Sequence, residues 1–112
     1  MAQFEFVQWL VQWLFSMFEL EFDWDDGNST KSLTKHKISQ ERAEQVFRNR
    51  DLLVPLGIQI APQTNEPRFG VLGMDGLGTH LTISFTIRAG RVRVISVRPM
   101  SRKERKKYAE VR

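Results

Sequence analysis

The sequence predicts an α+β domain, in which a mostly antiparallel sheet of four to five strands carries helices on one side. Two observations predict this class. Four segments between residues 51 and 98 have the alternation or the turn residues of strands, and short Gly-containing connections join the last three. Helical patterns lie on both sides of this run, two in the N-terminal half and a basic one at the C-terminus. Separate runs of strands and helices are typical of α+β folds.

The composition is that of one small globular domain. The chain has 112 residues, with 8 Phe, 3 Trp, 1 Tyr and no cysteine. A disulfide framework and a thiolate metal site are therefore excluded. His36 and His80, the two histidines, lie 44 positions apart, which is not the spacing of a histidine zinc site. We expect no metal and no cofactor, and a reducing, cytoplasmic setting fits.

Charge is distributed very unevenly along the chain. Residues 1–30 contain six acidic residues and no Lys or Arg, whereas residues 91–112 contain nine Lys or Arg and two acidic residues. This polarity suits a polyanion such as RNA, an acidic protein partner, or both. A solvated helix face is the structural alternative.

The first 17 residues, "MAQFEFVQWLVQWLFSM", form an apolar N-terminal extension with a tandem "VQWL". The apolar run is shorter than the roughly 20 residues that span a bilayer, and no basic region of a signal peptide precedes it. Three interpretations remain: a helix that packs on the domain or on a second subunit, an interfacial membrane helix, or a translation start placed too early, with Met17 as the natural start. The membrane interpretation is the least favoured, because the segment lacks a basic polar face. Residues 18–112 are predicted to form the domain proper.

The next three segments are predicted as one strand and two helices. "FELEFDWD" alternates as a half-buried strand, and "DDGN" ends it. "STKSLTKHK" has the pattern of a short helix, and "ISQERAEQVFRN" that of a second helix with Ser39 as its N-cap. The residues expected to face the core are Phe18, Leu20, Phe22 and Trp24 of the strand, and Ile38, Ala43, Val46 and Phe47 of the second helix.

Four strands and a helix are predicted for the remainder. "DLLVPLGIQIAP" is a strand broken at Pro55 and Gly57, and "RFGVLGM", "THLTISFTIR" and "RVRVISVR" are antiparallel strands joined by "DGLG" and "AG". Alternation in the last strand predicts two faces: Val92, Val94, Ser96 and Arg98 on one, and Arg91, Arg93, Ile95 and Val97 on the other. Pro99 should stop this strand, and Ser101 should cap a helix that runs to about Glu110.

Arginines at strand ends are the clearest candidates for chemistry. No nucleophile motif, phosphate loop or metal cluster is present. Arg68 opens a strand, while Arg88 and Arg98 each close one, so we expect them to converge on one side of the sheet. Converged guanidinium groups suit phosphate, and RNA cleavage by 2′-hydroxyl attack requires mainly alignment and stabilisation of charge. His36, beside Lys35, is the best candidate for a general base.

Each candidate also has a structural alternative. Arg68 and Arg88 could pair with the acidic N-terminal strand, and Arg98 on a half-buried face needs a partner of its own. His36 could cap or pack a helix, and the ring of Tyr108 could cover the core.

Several blocks of the sequence together resemble the BrnT family of toxins from bacterial toxin–antitoxin systems. The first block is "FDWDDGNSTKSLTKHKIS" and the last is "RVISVRPMSRKERKKYAE", with an "R…G" and a "T-x-R" match between them. The resemblance extends from about Phe18 to Glu110 and leaves residues 1–16 outside. Members of the family usually begin near the "FDWD" strand, which favours the interpretation of an early start.

The resemblance implies a fold like that of the RelE ribonuclease toxins and an endoribonuclease activity that inhibits translation. It also implies a cognate BrnA antitoxin of ribbon-helix-helix type, whose complex with the toxin represses their operon. DNA would then be a partner only through that complex, and a homodimer or heterotetramer is compatible with it. The positions that match the family's motifs are Lys35, His36, Arg68, Thr86, Arg88, Arg98, Glu104, Arg105 and Tyr108.

From the residues and the resemblance together, two sets of site residues are predicted. The catalytic set is Arg68, Arg88, His36, Lys35, Arg98 and Tyr108, and the RNA-binding set is Arg102, Lys103, Arg105, Lys106 and Lys107. The chain departs from the family where a Glu usually directly precedes the first of these arginines, because Pro67 separates Glu66 from Arg68 here. An alternative function therefore stays open: a non-catalytic module, or degenerate toxin, that binds RNA or an acidic partner.

Overall fold

The computed structural model describes residues 4–16, 20–25, 27–28, 37–59 and 66–111. Its elements are β1 (Phe4–Glu5), α1 (Gln8–Ser16), α2 (Gln40–Arg48), a 3-10 turn (Arg50–Leu52), β2 (Val54–Gln59), β3 (Phe69–Met74), β4 (His80–Arg88), β5 (Arg91–Pro99) and α3 (Arg102–Val111). The five strands form one sheet in sequence order, and every neighbouring pair is antiparallel. The predicted α+β class and antiparallel sheet are confirmed.

The local signals for strands and turns are also confirmed. The register of β2 shifts between Pro55 and Gly57, where the sequence predicted a break. β4 and β5 form a two-residue hairpin at Ala89 and Gly90, with φ angles of 53° and 74°. Positive φ at both central residues is what the tight right-twisted hairpin turn requires.

Helices cover both faces of the sheet, so the prediction that they lie on one side was wrong. On the face that we call the helix face, α1 and α2 pack Leu10, Leu14, Val46 and Phe47 against Val71, Ile83 and Phe85. The opposite face, which we call the second face, carries a smaller cluster in which Tyr108 of α3 packs with Leu72. Because successive side chains of a strand point to opposite faces, Val71 and Leu72 necessarily belong to different clusters.

The acidic segment before α2 lies along β5 rather than forming a strand of its own. Phe22 makes an isolated parallel bridge to Val92, through backbone hydrogen bonds of 2.8 and 2.9 Å. The predicted alternation is confirmed in the part that the structure describes: Leu20 is buried and Phe22 and Trp24 pack on the core, while Glu21 is exposed. Phe18 lies outside the described residues, as does the predicted helix over 29–37 apart from Lys37, which is not helical.

A β-bulge in β5 overturns the predicted faces of that strand. Ser84 pairs with Ser96, but the next residue of β4, Phe85, pairs with Val94, so that Ile95 is the extra residue. An extra residue reverses the alternation beyond it. Val97 therefore joins the helix-face core. Arg98, which pairs with Thr82, lies on the second face and not beside Val92 and Val94 as predicted.

Both predicted helix caps are confirmed. The Ser39 hydroxyl accepts a hydrogen bond from the Arg42 amide at the start of α2. The Ser101 hydroxyl accepts one from the Glu104 amide at the start of α3, at 3.2 Å. The four residues predicted to form the apolar stripe of α2 are all buried.

The N-terminal extension is packed into the domain. Leu10 and Leu14 of α1 have no exposed surface, and the ring of Trp9 meets the edge of Phe69 at a centroid distance of 5.3 Å. Within the part of the chain that the structure describes, no helix is long and apolar enough to cross a membrane. Phe6, Trp9 and Phe15 leave an exposed apolar surface on this extension.

Candidate functional site

Arginines from β4, from β5 and from the residue before β3 lie near one another where β4 ends, on the second face. Phe69 pairs with Phe85 on the helix face, so the residues just outside that pair, Arg68 and Thr86, face the other way. We call this region the arginine end, and its members are Arg68, Thr86, Arg88 and Arg93. The register pairs Thr86 with Arg93, and Arg88 lies two residues further along β4 on the same face. The predicted proximity of Arg68 and Arg88 thus follows from the strand register.

Glu66 holds one edge of the Arg88 guanidinium. The Arg88 Nε donates to Glu66 Oε2 at 3.1 Å, and Nη2 donates to both carboxylate oxygens at 3.0 Å. Both side chains stay accessible, with 49% of Arg88 and 39% of Glu66 exposed. The Arg88 Nη1 donates to no other described residue, so a second donor edge faces outward. The glutamate that Pro67 separates from Arg68 in sequence therefore still reaches the site.

Thr86 fixes the entry into β3. Its hydroxyl donates to the Pro67 carbonyl at 2.6 Å, and the Arg68 carbonyl accepts from the Gln59 amide at 2.7 Å. These two bonds fix the backbone on both sides of Arg68. The Arg68 side chain is half-buried and forms no ion pair with a described carboxylate, so its charge is available to a ligand.

The guanidinium of Arg93 binds the acidic segment before α2 and is largely shielded from solvent. Its Nη1 and Nη2 each donate to Asp25 at 2.9 Å, and Asp23 lies 3.5 Å from Nη1. Hydrogen bonding to Asp25 raises the pKa of Arg93, and the same bond lowers the pKa of Asp25. The buried Asn28 amide donates to the carbonyls of Asp23 and Val94. Arg93 and Asn28 thus clamp the acidic segment along the outer edge of β5.

Arg98 lies far from the arginine end, which corrects the expectation that all three strand-end arginines converge. Arg98 pairs with Thr82, six residues before Arg88 on β4. At roughly 3.3 Å per residue the two arginines are about 20 Å apart along the strand. The expectation failed because β4 and β5 run in opposite directions, so that their C-terminal ends lie at opposite ends of the sheet.

Arg98 instead joins β5 to α3 through Glu104. Its Nη1 and Nη2 donate to the two carboxylate oxygens of Glu104 at 2.6 and 2.8 Å. The Thr82 hydroxyl and the Ser101 amide donate to the same carboxylate at 3.0 and 2.8 Å. Burial of Glu104 opposes ionisation, but the hydrogen bonds from Arg98, Ser101 and Thr82 outweigh it and lower the pKa of Glu104 to about 2. Ser101 and Glu104 also satisfy each other's amides, as in a capping box.

Tyr108 is a packing residue of α3. Only 5% of it is exposed, its hydroxyl donates to the Leu52 carbonyl, and its ring meets that of His80 edge-on at a centroid distance of 5.6 Å. The hydroxyl is therefore directed into the protein, next to the 3-10 turn. This geometry favours the alternative in which Tyr108 covers the core.

The remaining surface of α3 is strongly cationic. None of its five exposed basic residues forms an ion pair with a described carboxylate: Arg102, Lys103, Arg105, Lys106 and Lys107. Glu104 and Tyr108, one helical turn apart, hold the opposite side of α3 against the sheet. The predicted RNA-binding residues thus share an outward surface, which we call the basic face of α3.

Lys35 and His36, the predicted proton-transfer residues, lie outside the described residues. Sequence reasoning did not find the pairing of Glu66 with Arg88, or the position of Phe4, whose ring lies on Gly70 of the second face. The sequence does contain a signal for the pairing of Glu66 with Arg88, because an acidic residue two positions before the start of a strand can reach the neighbouring strand. It contains no signal for the contact of Phe4 with Gly70, because that contact depends on how β1 packs against the sheet.

A known protein family matches the part of the chain that contains most of the candidate site. The model of a family described as "Ribonuclease toxin, BrnT, of type II toxin-antitoxin system" matches residues 24–104. The matched range includes the arginine end and Glu66, and it ends at Glu104 in the first turn of α3. β1 and α1 lie outside it. No curated protein matches the chain significantly.

Proposed function

This chain belongs to the BrnT family of ribonuclease toxins of type II toxin–antitoxin systems, and on that premise we propose that it is an endoribonuclease whose active site is the arginine end. It cleaves RNA without a metal ion and thereby inhibits translation in the cytoplasm. The observation that carries the proposal is the proximity of Arg68 and Arg88 on one accessible face, beside the carboxylate of Glu66.

The reaction needs a negatively charged phosphate to be held while more charge develops on it. The 2′-oxygen of the substrate attacks the adjacent phosphorus, the bond from phosphorus to the 5′-oxygen breaks, and a 2′,3′-cyclic phosphate and a 5′-hydroxyl result. Arg88 can donate to a non-bridging oxygen through its outward Nη1 edge while Glu66 keeps the other edge oriented. Arg68 supplies a second positive charge to the same phosphate.

Two groups are candidates for proton transfer. The first is His36 with Lys35, which is supported by the chemistry of these residue types and by their match to the family motif. Glu66 is the second, because its carboxylate is already at the site and is 39% exposed. The base accepts the 2′-hydroxyl proton, and an acid returns a proton to the departing 5′-oxygen.

The basic face of α3 is proposed to gather RNA, since unpaired cations attract a phosphate backbone without regard to sequence. Arg98 and Tyr108, assigned to catalysis from the sequence, are better explained as residues that hold α3 in place. As a type II toxin the protein is expected to pair with an antitoxin. We propose one of the BrnA ribbon-helix-helix type, which would contact DNA in the toxin complex.

A non-catalytic module that binds RNA or an acidic partner remains the second candidate. Its support is the pairing of both Arg88 and Arg93 with carboxylates in the unbound protein. This candidate predicts salt-dependent binding of RNA without cleavage.

Cleavage of a defined RNA by the purified protein tests the proposal, with EDTA present throughout. Arg88→Ala should lower the cleavage rate about 100-fold or more, the usual effect of removing one group that stabilises transition-state charge. Arg48→Ala is the matched control, because Arg48 is 51% exposed and pairs with one glutamate, as Arg88 does, but lies on α2. Intact RNA with the wild-type protein, or equal rates for Arg88→Ala and wild type, would contradict the proposal.

A further inference from the structure

The N-terminal extension places an aromatic ring on the second face, next to the arginine end. Phe4 of β1 packs with Leu72 and the other residues of the second-face cluster and remains half-buried. Its ring lies directly on Gly70 of β3: a Cβ atom at position 70 would come within 2.8 Å of two ring carbons. The ring therefore lies against the sheet surface, in space that a side chain at position 70 would fill.

β1 packs against two glycines of the sheet. Gly57 lies against the backbone of β1, and Gly70 lies against the ring of Phe4. At Gly57, where φ is +114°, an added Cβ would lie 1.9 Å from the Glu5 carbonyl oxygen. Gly70 leaves the matching space for Phe4. Both points at which β1 contacts the sheet are thus glycines, which leave room for it. Leu10 and Leu14 of the same extension are fully buried. The extension is therefore an integral part of the fold.

The position of Phe4 is close to Arg68 along the sheet. Arg68 directly precedes β3 and lies two residues before Gly70 on the second face, a separation of about 7 Å at roughly 3.3 Å per residue. Gly70 pairs with Ser84, which is two residues before Thr86 on β4. Thr86 is level with Arg68, and Arg88 lies two residues beyond it on β4, so the half-buried Phe4 borders the same surface as the two arginines, with Arg68 the nearer of them.

We propose that Phe4 is a stacking platform for an unpaired base of the RNA, adjacent to the phosphate that Arg68 and Arg88 hold. This inference rests on the proposed function and adds to it a substrate class, single-stranded RNA, and a residue that binds one of its bases. Stacking needs a base that is not already paired, and every base offers a π-face to an aromatic ring. Phe4 lies outside the range matched by the family model, so the match assigns no role to it.

Substitutions that keep the apolar contact but remove the π-face separate stacking from packing. Phe4→Leu preserves an apolar side chain over Gly70, and Phe4→Tyr preserves the ring. Phe15→Leu is the matched control, because Phe15 is an aromatic residue of the same extension that is 40% exposed and belongs to α1. The ligand is a short single-stranded RNA that carries 2′-O-methyl groups throughout, so that no free 2′-hydroxyl can attack.

Phe4→Leu should weaken binding of this RNA roughly 5- to 100-fold, the range for loss of one base–aromatic stack. Phe4→Tyr and Phe15→Leu should bind like wild type. The thermal unfolding of all variants is measured in parallel, and binding is compared at a temperature where each is folded. Equal affinities of Phe4→Leu and wild type would overturn the proposal.

An abasic scan of the same RNA decides whether the effect arises from stacking. If Phe4 contacts a base, one abasic position should weaken binding to the wild type and have little further effect on Phe4→Leu. Loss of affinity in Phe4→Leu that is equal at every abasic position would mean a purely structural role and would overturn the proposal.

Arg88→Ala separates this inference from the function on which it rests. If Arg88→Ala binds the RNA more weakly while Phe4→Leu binds like wild type, the arginine site stands and the platform does not. If neither variant differs from wild type, both the platform and the RNA site at the arginine end are wrong.

Discussion

Arg98 donates to both carboxylate oxygens of Glu104, at 2.6 and 2.8 Å, and this pair joins the end of β5 to the first turn of α3. Only 13% of the Glu104 side chain is exposed, and the Thr82 hydroxyl and the Ser101 amide also donate to its Oε1. A carboxylate with four donors is strongly stabilised in its charged form. The ionised form of Glu104 therefore helps, together with Tyr108, to hold the basic face of α3 in place.

This dependence predicts a loss of stability in acid. The pKa of Glu104 falls from 4.5 to about 2 on folding, so the unfolded state binds more protons between these values. The contribution of Glu104 is therefore complete above pH 4.5 and disappears as the pH falls through about 2, with a magnitude of up to about 3 kcal/mol. Urea unfolding of wild type and Glu104→Gln at several pH values measures it.

The difference in unfolding free energy between wild type and Glu104→Gln should shrink as the pH falls through this window. Glu110→Gln is the matched control, at an exposed position on the same helix, and should leave the profile unchanged. A difference between wild type and Glu104→Gln that stays constant from pH 6 to pH 2 would contradict the assigned pKa.

Arg98 is predicted to contribute to stability and not to chemistry. Arg98→Ala leaves the Glu104 carboxylate without its charged partner and should cost about 1–2 kcal/mol, below the value for fully buried pairs because Arg98 is 35% exposed. The rate of RNA cleavage per folded molecule should change less than about threefold. The opposite pattern is expected for Arg88→Ala, which removes an exposed pair and should change the rate far more than the stability. A loss of cleavage in folded Arg98→Ala comparable to that in Arg88→Ala would reject this distinction.

The sheet could be predicted from the sequence because its signals are local. Turn residues, alternation and caps identified β3, β4, β5 and both helix starts, and the structure confirms them. The β-bulge at Ile95 leaves no local signal, because a strand with one extra residue keeps the same composition. That single residue moved Arg98 from the core face to the second face.

The candidate site was predicted in part for a similar reason. The positions of Arg68 and Arg88 are near one another because adjacent antiparallel strands bring the start of one beside the end of the other. The same rule places Arg98 at the opposite end of the sheet, because β5 runs antiparallel to β4. The contacts of Glu104 with Thr82, 22 residues apart, and of Phe4 with Gly70 depend on the docking of α3 and β1.

Tyr108→Phe should lower the stability without abolishing RNA cleavage. The substitution removes the hydrogen bond to the partly buried Leu52 carbonyl, at a cost of about 1 kcal/mol. Urea unfolding and the cleavage rate of the folded variant check this prediction. A catalytic Tyr108 would instead give a folded, stable and inactive variant.

Gly57→Ala should detach β1 from the sheet. The new methyl group would collide with the Glu5 carbonyl, at a φ of +114° that already disfavours side chains. Hydrogen exchange of the backbone amides of β1 and of Ile58 should become faster. Gly78→Ala is the matched control, because its φ is +80° and an added Cβ would meet nothing within 4 Å. Unchanged exchange in β1 of Gly57→Ala would mean that this strand is not held as the structure has it.

The basic face of α3 should set the salt dependence of RNA binding. Lys103, Lys106 and Lys107 are exposed and unpaired among the described residues, so each can release counterions from single-stranded RNA when it binds. Replacing all three by Gln should reduce the slope of log affinity against log salt by about 0.7 for each phosphate that is no longer neutralised, or about 2 in total. Glu110→Gln, which removes a negative charge from the same helix, should leave the slope unchanged. If the triple variant keeps the wild-type slope, α3 does not bind the RNA backbone, and the arginine end must bind RNA without it.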